Sequence, residues 1–137
     1  MSTVVEEARK WVRTPYHHQA DVLGAGVDCA MLLVRVYVAC GLIPDIDPRP
    51  YSPDWHLHRG EEVYLNSILK FADPVDEPLP GDIAAFKFGR CVSHCGIVAE
   101  WPLIIHAYRD ERMVVYSDVS RSPRLLEHFV GWYRIRG

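Results

Sequence analysis

Apolar residues recur at helical spacing in the first half of the chain, whereas in the second half they cluster in short runs separated by turn or charged residues. The helical period predicts a short amphipathic helix over Thr3–Val12, ended by Pro15. A second helix is predicted over Asp28–Cys40, and its nearly all-round apolar surface is typical of a central, buried helix. Gly60–Phe71 has the pattern of a third, amphipathic helix. Residues 16–27 between the first two helices are expected to form a polar loop, and residues 43–55 a proline-rich one.

After the turn signal Pro80-Gly81 the pattern changes to short, β-rich runs separated by turn or charged residues. Helices first and strands second predict an α+β fold, with the helices packed on one mostly antiparallel sheet. Five strands are expected, over Ile83–Phe88, Ser93–Glu100, Leu103–Arg109, Met113–Ser117 and Phe129–Ile135.

Length and charge narrow the classes of function. A chain of 137 residues fits one domain, residues 1–137, and about half of its residues are apolar, as in globular proteins. The net charge of −3 provides no basic surface for nucleic acid. The longest apolar run is too short to span a bilayer, so no membrane partner is expected. The first residues lack the basic start and apolar stretch of a signal peptide, which predicts synthesis in the cytoplasm without export by a leader.

Cys29 is a candidate nucleophile because it stands at the predicted start of the central helix. The positive end of a helix favours a thiolate, and Asp28 can act as the N-cap. The other cysteines are Cys40, Cys91 and Cys95, and the absence of an export signal argues against two disulfides. Taken alone, Cys29 is better explained as one more small residue in a buried helix.

Two histidines lie in neighbouring predicted strands. A hairpin that turns near Glu100–Leu103 places His94 and His106 opposite each other, on the same face. Strand alternation puts Gly96 on that face as well and Cys95 on the other. A second histidine beside the first can bond its distal ring nitrogen and fix its tautomer. Each histidine alone could equally be a core residue.

Together these residues predict covalent hydrolysis of an amide without any cofactor. The Cys29 thiolate would attack the carbonyl, and His94 would protonate the leaving amine. Water would then hydrolyse the acyl-enzyme. Backbone N–H groups at the helix start, including that of Cys29, would hold the oxyanion.

Five segments, in order, resemble the NlpC-type family of cell-wall peptidases, which are papain-like cysteine hydrolases. They are Thr14-Pro15-Tyr16, Val27-Asp28-Cys29, Pro80-Gly81-Asp82-Ile83, Ser93-His94-Cys95-Gly96-Ile97-Val98 and Ile105-His106-Ala107. The resemblance implies a papain-like fold and a triad of Cys29, His94 and His106. The compact sequence with Tyr16-His17-His18-Gln19 is most similar to the phage and prophage tail-assembly branch. That branch implies phage tail proteins as partners and a location on the virion tail.

The resemblance also implies a substrate: an amide in a peptidoglycan stem peptide, most often the bond from D-γ-glutamyl to diaminopimelate. Tyr16 matches a tyrosine that lies near the catalytic thiol in the family, and Asp28, His17 and His18 would complete the substrate and oxyanion side of the groove. The sequence departs from the family at Arg13, where a glycine is usual. It departs again after Asp28-Cys29, where Ala30 and Met31 replace small residues, and the bulk of Met31 predicts a groove that is narrower or differently shaped.

Three other interpretations stay open. A zinc site could use Cys91, His94 and Cys95, with His17, His18, His56 or His58 as further ligands. The chain lacks a clear second ligand pair, however, and Cys95 would point away from His94, so no metal is expected. The protein could instead be a structural tail-assembly module that keeps the fold. It could also use the same triad as an amidase or in acyl transfer.

Overall fold

Short helices precede an antiparallel sheet in the computed structural model, which describes residues 3–47, 70–89 and 92–136. The predicted helix over Gly60–Phe71 lies almost wholly outside these ranges, as do His56, His58, Cys91 and the second half of the proline-rich loop. The elements are α1 (Thr3–Arg9), β1 (Asp21–Val22), β2 (Gly26–Val27), α2 (Cys29–Ala39), β3 (Ala72–Val75), β4 (Ile83–Lys87), β5 (Val92–Glu100), β6 (Leu103–Tyr108), β7 (Met113–Asp118), α3 (Pro123–His128) and β8 (Phe129–Ile135).

The main sheet has six strands in the order β3-β8-β4-β5-β6-β7, and every neighbouring pair is antiparallel. The predicted α+β fold with a mostly antiparallel sheet of about five strands is confirmed, and the sheet has one strand more than the five runs identified in the sequence. The missed strand, β3, contains Pro74. Proline cannot donate to a ladder, and β3 accommodates it because this strand is at the edge of the sheet.

Helix α2 is the centre of the larger hydrophobic core. Asp28 caps its start and Cys40 its end, so the predicted range Asp28–Cys40 is the observed helix with its two caps. Helix α2 packs with α1 on one face of the sheet, against residues such as Cys95, Ile97 and Ile105. Burial of these apolar residues is the main force that holds the helix layer on the sheet.

Helix α1 is shorter than the predicted Thr3–Val12. It ends at Arg9, and residues 10–12 continue as turns whose N–H groups bond the carbonyl three residues back. Arg13 then has φ +77°, a left-handed conformation that turns the chain towards β7. Its N–H donates to the carbonyl of Val114 at 2.8 Å.

The predicted polar loop over residues 16–27 contains a small hairpin. Strands β1 and β2 pair antiparallel, and Gly24 in the turn has φ +78°. Two residues per strand give no periodicity, which is why the sequence pattern missed them.

The second face of the sheet has its own apolar cluster. Ala84, Phe86, Val98 and Ile104 pack under Leu125 of α3. The sheet is therefore covered on both sides. Within the described ranges no helix is long and apolar enough to cross a membrane.

Candidate active site

The thiol of Cys29 lies at the junction between helix α2 and strand β5. Cys29 is the first residue of α2 and is 7% exposed. Its Sγ is 4.0 Å from the carbonyl oxygen of Ser93. Because Ser93 directly precedes His94, the thiol lies next to the peptide group that joins Ser93 to His94.

Asp28 fixes the start of the helix and the loop in front of it. Its Oδ1 accepts a hydrogen bond from the Met31 N–H at 3.0 Å, which is the N-cap bond expected from the sequence. Its Oδ2 accepts from the Gln19 N–H at 2.6 Å and lies 3.7 Å from Nδ1 of His18. The carboxylate is 2% exposed, so these contacts position the loop and the helix relative to each other.

A buried chain of hydrogen bonds runs across three strands. His94 Nε2 and His106 Nδ1 are 2.7 Å apart, and His106 Nε2 is 2.8 Å from Ser117 Oγ. His106 is completely buried and His94 is 7% exposed. The bond to His106 leaves Nδ1 of His94 as the ring nitrogen that can take a proton from a thiol.

The two histidines lie on adjacent strands and on one face, as predicted, but the predicted register is wrong by two residues. The structure pairs Ile97 with Ile105 and Val98 with Ile104, which places His106 beside Gly96. A Cβ added at Gly96 would come 3.0 Å from Cβ of His106. A two-residue shift preserves the face of every side chain, so His94 and His106 meet as diagonal neighbours.

Aromatic packing makes His94 a neutral imidazole. The rings of Phe86, Phe88 and Tyr108 have centroids 5.6, 6.1 and 5.7 Å from that of His94. Burial lowers the pKa of His94 to about 4, against a smaller opposing effect of Asp110. Burial, with His94 as its neighbour, also holds the pKa of His106 well below its usual value. Both rings are therefore uncharged at neutral pH, and uncharged imidazole is the form that accepts a proton.

Tyr16 is held beside the helix start by backbone pairing on both sides. It forms an isolated parallel bridge with Val27, and its N–H donates to the carbonyl of Arg112 at 2.8 Å. The guanidinium carbon of Arg109 is 5.9 Å from the centroid of the Tyr16 ring. Burial, followed by the negative charges of Cys29 and Asp28, raises the pKa of Tyr16, so its hydroxyl stays protonated.

His17 and His18 lie on the same loop with different exposure. His17 is exposed and its Nδ1 is 3.2 Å from the carbonyl oxygen of His18, whereas His18 is half-buried beside Asp28. A Cβ added at Gly26 would come 2.9 Å from Cβ of His17, so this glycine lets the loop lie flat on β2. The side chains of both histidines border the helix start without joining the buried pair.

The structure corrects the expectation for Met31. Its side chain is completely buried in the core, so it fills space beneath α2 and does not narrow a surface groove.

Two of the proposed zinc ligands, His94 and Cys95, lie on opposite faces of the sheet. Cys95 lies in the core on the α2 side of the sheet, while His94 points to the other face, so the two cannot share a metal. Among the described residues, no three His, Cys, Asp or Glu side chains form a group that could hold a metal ion.

Two residues at this site, Ser117 and Arg109, were not predicted from the sequence. Ser117 was expected only as the end of a strand, although the β6–β7 register places it on the face of His106, diagonal to it. The sequence pattern places Arg109 at the end of a strand, whereas in the structure it opens a 3-10 turn. Strand alternation could have identified Ser117 once the β6–β7 register was known, but a lone surface arginine gives no such signal.

Solved structures of proteins described as NLP/P60 or NlpC/p60 have the same fold. A Staphylococcus aureus protein described as similar to a lipoprotein of the NLP/P60 family matches with a TM-score of 0.70 at 22% identity. That match covers 98% of this chain and 41% of the staphylococcal one, so this chain spans less than half of that relative. The NlpC/p60 domain of the peptidoglycan hydrolase SagA matches with a TM-score of 0.65 at 18% identity, over 98% of this chain and 97% of that domain.

An amidase shares the fold over its whole length. An N-acetylmuramoyl-L-alanine amidase from Bacteroides uniformis matches with a TM-score of 0.64 at 16% identity, over 98% of this chain and 99% of that chain. No protein-family model and no curated protein sequence matches the chain. The structures establish the fold, and the chain has the papain-like α+β architecture found in NlpC/P60 cell-wall hydrolases.

Proposed function

We propose that the protein is a cysteine endopeptidase that hydrolyses an amide bond in peptidoglycan stem peptides. Cys29 is the nucleophile, His94 the general base and His106 the group that orients the base. One observation carries the proposal. Sγ of Cys29, at the start of a capped helix, lies 4.0 Å from the carbonyl oxygen of Ser93, and the next residue is the buried His94, which is hydrogen-bonded to His106. The shared fold with a peptidoglycan hydrolase and an amidase supports the choice of substrate.

The first half-reaction transfers the acyl group to sulfur. Nδ1 of His94 takes the thiol proton as Sγ of Cys29 attacks the carbonyl carbon, and a tetrahedral oxyanion forms. His94 then gives the proton to the leaving nitrogen, the C–N bond breaks and a free amine departs. A base with a pKa well below neutral accepts a proton only transiently, so it is ready to return it to the amine.

The second half-reaction releases the acid. Nδ1 of His94 takes a proton from water, and the hydroxide oxygen attacks the thioester carbon. The C–S bond then breaks, and the proton returns to sulfur. The products are a carboxylic acid and the free thiol, so the cycle consumes one water and needs no redox partner or cofactor.

Tyr16 and the helix start would stabilise the oxyanion. The hydroxyl of Tyr16 stays protonated because its pKa is raised, so it can donate a hydrogen bond to a developing negative charge. The positive end of α2 acts in the same direction. His17 and His18 would line the rim of the groove on this side, and Asp28 would act indirectly by holding the loop.

Arg109 supports the choice of the γ-glutamyl bond. A γ-linked D-glutamyl residue leaves its α-carboxylate free beside the scissile amide, and a guanidinium is the side chain best suited to bind it. Arg109 is exposed next to Tyr16 and has no carboxylate partner among the described residues. An Arg109→Gln variant is expected to raise KM for such substrates while leaving kcat within about threefold, a loss of uniform binding.

Incubation with diaminopimelate-containing muropeptides tests the proposal directly. Release of new amino groups should occur with the wild type and with Cys40→Ala, and should be lost with Cys29→Ala and His94→Ala. Equal release by wild type and Cys29→Ala would show that the assignment is wrong.

Thiol labelling provides a test that does not require the substrate. Cys40 is more exposed than Cys29, and burial raises the pKa of Cys40. If exposure alone set the rate, iodoacetamide would label Cys40 first. An activated nucleophile predicts the reverse order, with Cys95 slowest because it is fully buried.

An N-acetylmuramoyl-L-alanine amidase activity is the second candidate. It is favoured by the Bacteroides uniformis structure, which matches this chain from end to end. The new amino group identifies the bond: free L-alanine amine indicates the amidase, and free diaminopimelate amine indicates the endopeptidase.

We place the protein in a phage tail as the finer part of this proposal. Its support is the sequence motif Tyr16-His17-His18-Gln19, and tail proteins would then be its partners. In this case the chain is synthesised in the cytoplasm and acts after assembly into a virion. Mass spectrometry of purified virions should detect the protein in tails. If the protein is present in tails but does not cleave muropeptides, it is a structural module.

A further inference from the structure

Ser117 ends the buried hydrogen-bond chain at strand β7. His106 lies opposite Val115 across β6 and β7, so Ser117, two residues further on, is its diagonal neighbour on the same face. Its Oγ is 2.8 Å from His106 Nε2. In the part of the chain that the structure describes, this hydroxyl is the only hydrogen-bond partner of that nitrogen.

The direction of the hydrogen bonds decides whether His94 can act as a base. A neutral imidazole has one N–H and one lone pair, so each bond in the chain sets the next one. If Ser117 accepts from Nε2–H of His106, then Nδ1 of His106 accepts from Nε2–H of His94. Nδ1 of His94 then keeps its lone pair and can take the thiol proton.

The opposite direction abolishes the base. If Ser117 donates its hydroxyl proton to His106 Nε2, then His106 Nδ1–H donates to His94 Nε2. The proton of His94 is then on Nδ1, where no lone pair remains for the thiol. Both histidines are held neutral by burial, so neither ring can satisfy both arrangements by taking a second proton.

We propose that Ser117 is a positioning residue that selects the active tautomer of the histidine pair by accepting the Nε2–H of His106. Strand β7 is an edge strand and Ser117 is half-buried, so its hydroxyl hydrogen can turn towards water. In the accepting direction the hydroxyl therefore keeps both of its bonds, while the buried N–H of His106 gains its partner. This inference rests on the proposed cysteine hydrolase function for its catalytic meaning, but the tautomer itself does not.

Ring-nitrogen NMR on the full chain with 15N-labelled histidine tests the tautomer without any substrate. The expected result is a proton on Nε2 of both His94 and His106 at neutral pH. A proton on Nδ1 of His106 in the wild type would overturn the proposal. In Ser117→Ala the two tautomers of His106 are expected to become mixed or reversed, whereas an unchanged spectrum would count against selection by Ser117.

Kinetics on muropeptides test the consequence. Ser117→Ala is expected to lower kcat about tenfold with KM little changed, as for the loss of one buried hydrogen bond that orients a base. Ser117→Thr keeps the hydroxyl and should restore most of the rate. Ser122→Ala is the matched control, because Ser122 is also half-buried but its side chain makes no capping bond to α3.

The outcomes separate the two proposals. If Ser117→Ala retains the wild-type kcat, or if Ser117→Thr is as slow as Ser117→Ala, the positioning role is wrong even though the enzyme is active. If Cys29→Ala is as active as the wild type, the proposed function fails, and the NMR result still decides whether Ser117 sets the tautomer.

Discussion

Arg13 occupies a backbone conformation that favours glycine. Its φ of +77° costs a residue with a Cβ about 1 kcal/mol. The NlpC-type family, which the sequence resembles, usually has glycine immediately before Thr14-Pro15-Tyr16. The difference noted in the sequence therefore falls at a position where the geometry explains the family's preference, and the left-handed turn is kept without glycine.

Substitution of Arg13 tests this explanation. Arg13→Gly is expected to leave the free energy of unfolding unchanged or raise it by up to about 1 kcal/mol. Glycine relieves the strain of the folded state, and this gain equals or exceeds the loss from the extra conformational freedom of the unfolded chain. Arg13→Val should lower it by about 1 kcal/mol or more, since β-branched residues fit this conformation poorly. Urea denaturation measures both, and a Val variant as stable as the Gly variant would contradict the argument.

Gly96 leaves room for the side chains of the strand opposite. An added Cβ would come 2.9 Å from Cδ1 of Ile104 and 3.0 Å from Cβ of His106. Ile104 can move its terminal methyl group, but His106 is tied at both ring nitrogens. The strain of an extra methyl group should therefore displace the histidine pair.

Gly96→Ala is expected to lower stability by roughly 1–3 kcal/mol, the usual cost of overpacking a buried site. It should also reduce the rate of muropeptide cleavage by more than loss of folded protein explains. Thermal unfolding and activity per folded molecule measure the two effects separately. Normal values of both would mean that the strands separate to accommodate the methyl group.

The start of helix α2 depends on both carboxylate oxygens of Asp28. One oxygen caps the helix and the other holds the loop before it, through Met31 and Gln19 respectively. Asp28→Ala removes both bonds and should cost about 2 kcal/mol or more, beyond the usual loss of a cap. Asp28→Asn keeps the capping oxygen but presents an amide donor or a weaker acceptor to Gln19, so an intermediate loss is expected.

Chemical denaturation measures these losses, and the labelling rate of Cys29 reports on the geometry of the helix start. The rate should fall in the order wild type, Asp28→Asn, Asp28→Ala, because the loop and the first turn lose their common support. Equal stability of the two variants would mean that the capping bond to Met31 contributes nothing measurable. Equal stability of the wild type and Asp28→Asn would mean the same for the bond to Gln19.

Elements with long periodic patterns were predictable from the sequence. The all-round apolar surface of α2 and the apolar runs of β4, β5 and β6 result from burial, and an apolar residue type is a local sign of burial. The edge strand β3 was missed because Pro74 is a strand breaker in any position but an edge. The β1–β2 hairpin was missed because two-residue strands have no period.

The candidate site was predictable to the extent that its residues share a face. Strand alternation predicted that His94 and His106 lie on one side of the sheet, and the structure shows this with a hydrogen bond of 2.7 Å. Their exact register depends on the shift in β5–β6 pairing between Val98 and Glu100. The hydrophobic pattern of the sequence does not indicate this shift. Ser117 and Arg109 were not predicted because their places at the site depend on the β6–β7 register and on the 3-10 turn after β6.

At the scale of the whole molecule, layers on both faces of the sheet remove the histidine pair from water. Helix α2 covers one face, and α3 with its neighbouring 3-10 turn covers the other, where Phe86 and Phe88 pack around His94. The same burial that keeps His94 neutral, the form that the proposed base requires, also makes the folded protein resist protonation there. Function and acid stability are therefore coupled.

Acid should unfold the protein in a defined pH window. In the unfolded chain histidine binds a proton near pH 6.5, whereas in the folded protein the pKa of His94 is about 4. Between these values the unfolded state binds more protons, so the free energy of unfolding falls as the pH decreases from 6.5 to 4. His94 alone accounts for roughly 3 kcal/mol, and His106, lowered for the same reason, adds to the loss.

Denaturation curves from pH 7.5 to 4 measure this slope, and substitutions assign it to the buried pair. A His94→Gln variant should show a shallower slope because one buried titrating group is gone, whatever its stability at neutral pH. His17→Gln is the matched control, since it removes an imidazole that is exposed in the folded protein. If wild type and His94→Gln lost stability in parallel over this range, carboxylates would be the source of the acid sensitivity, and burial of His94 would not be.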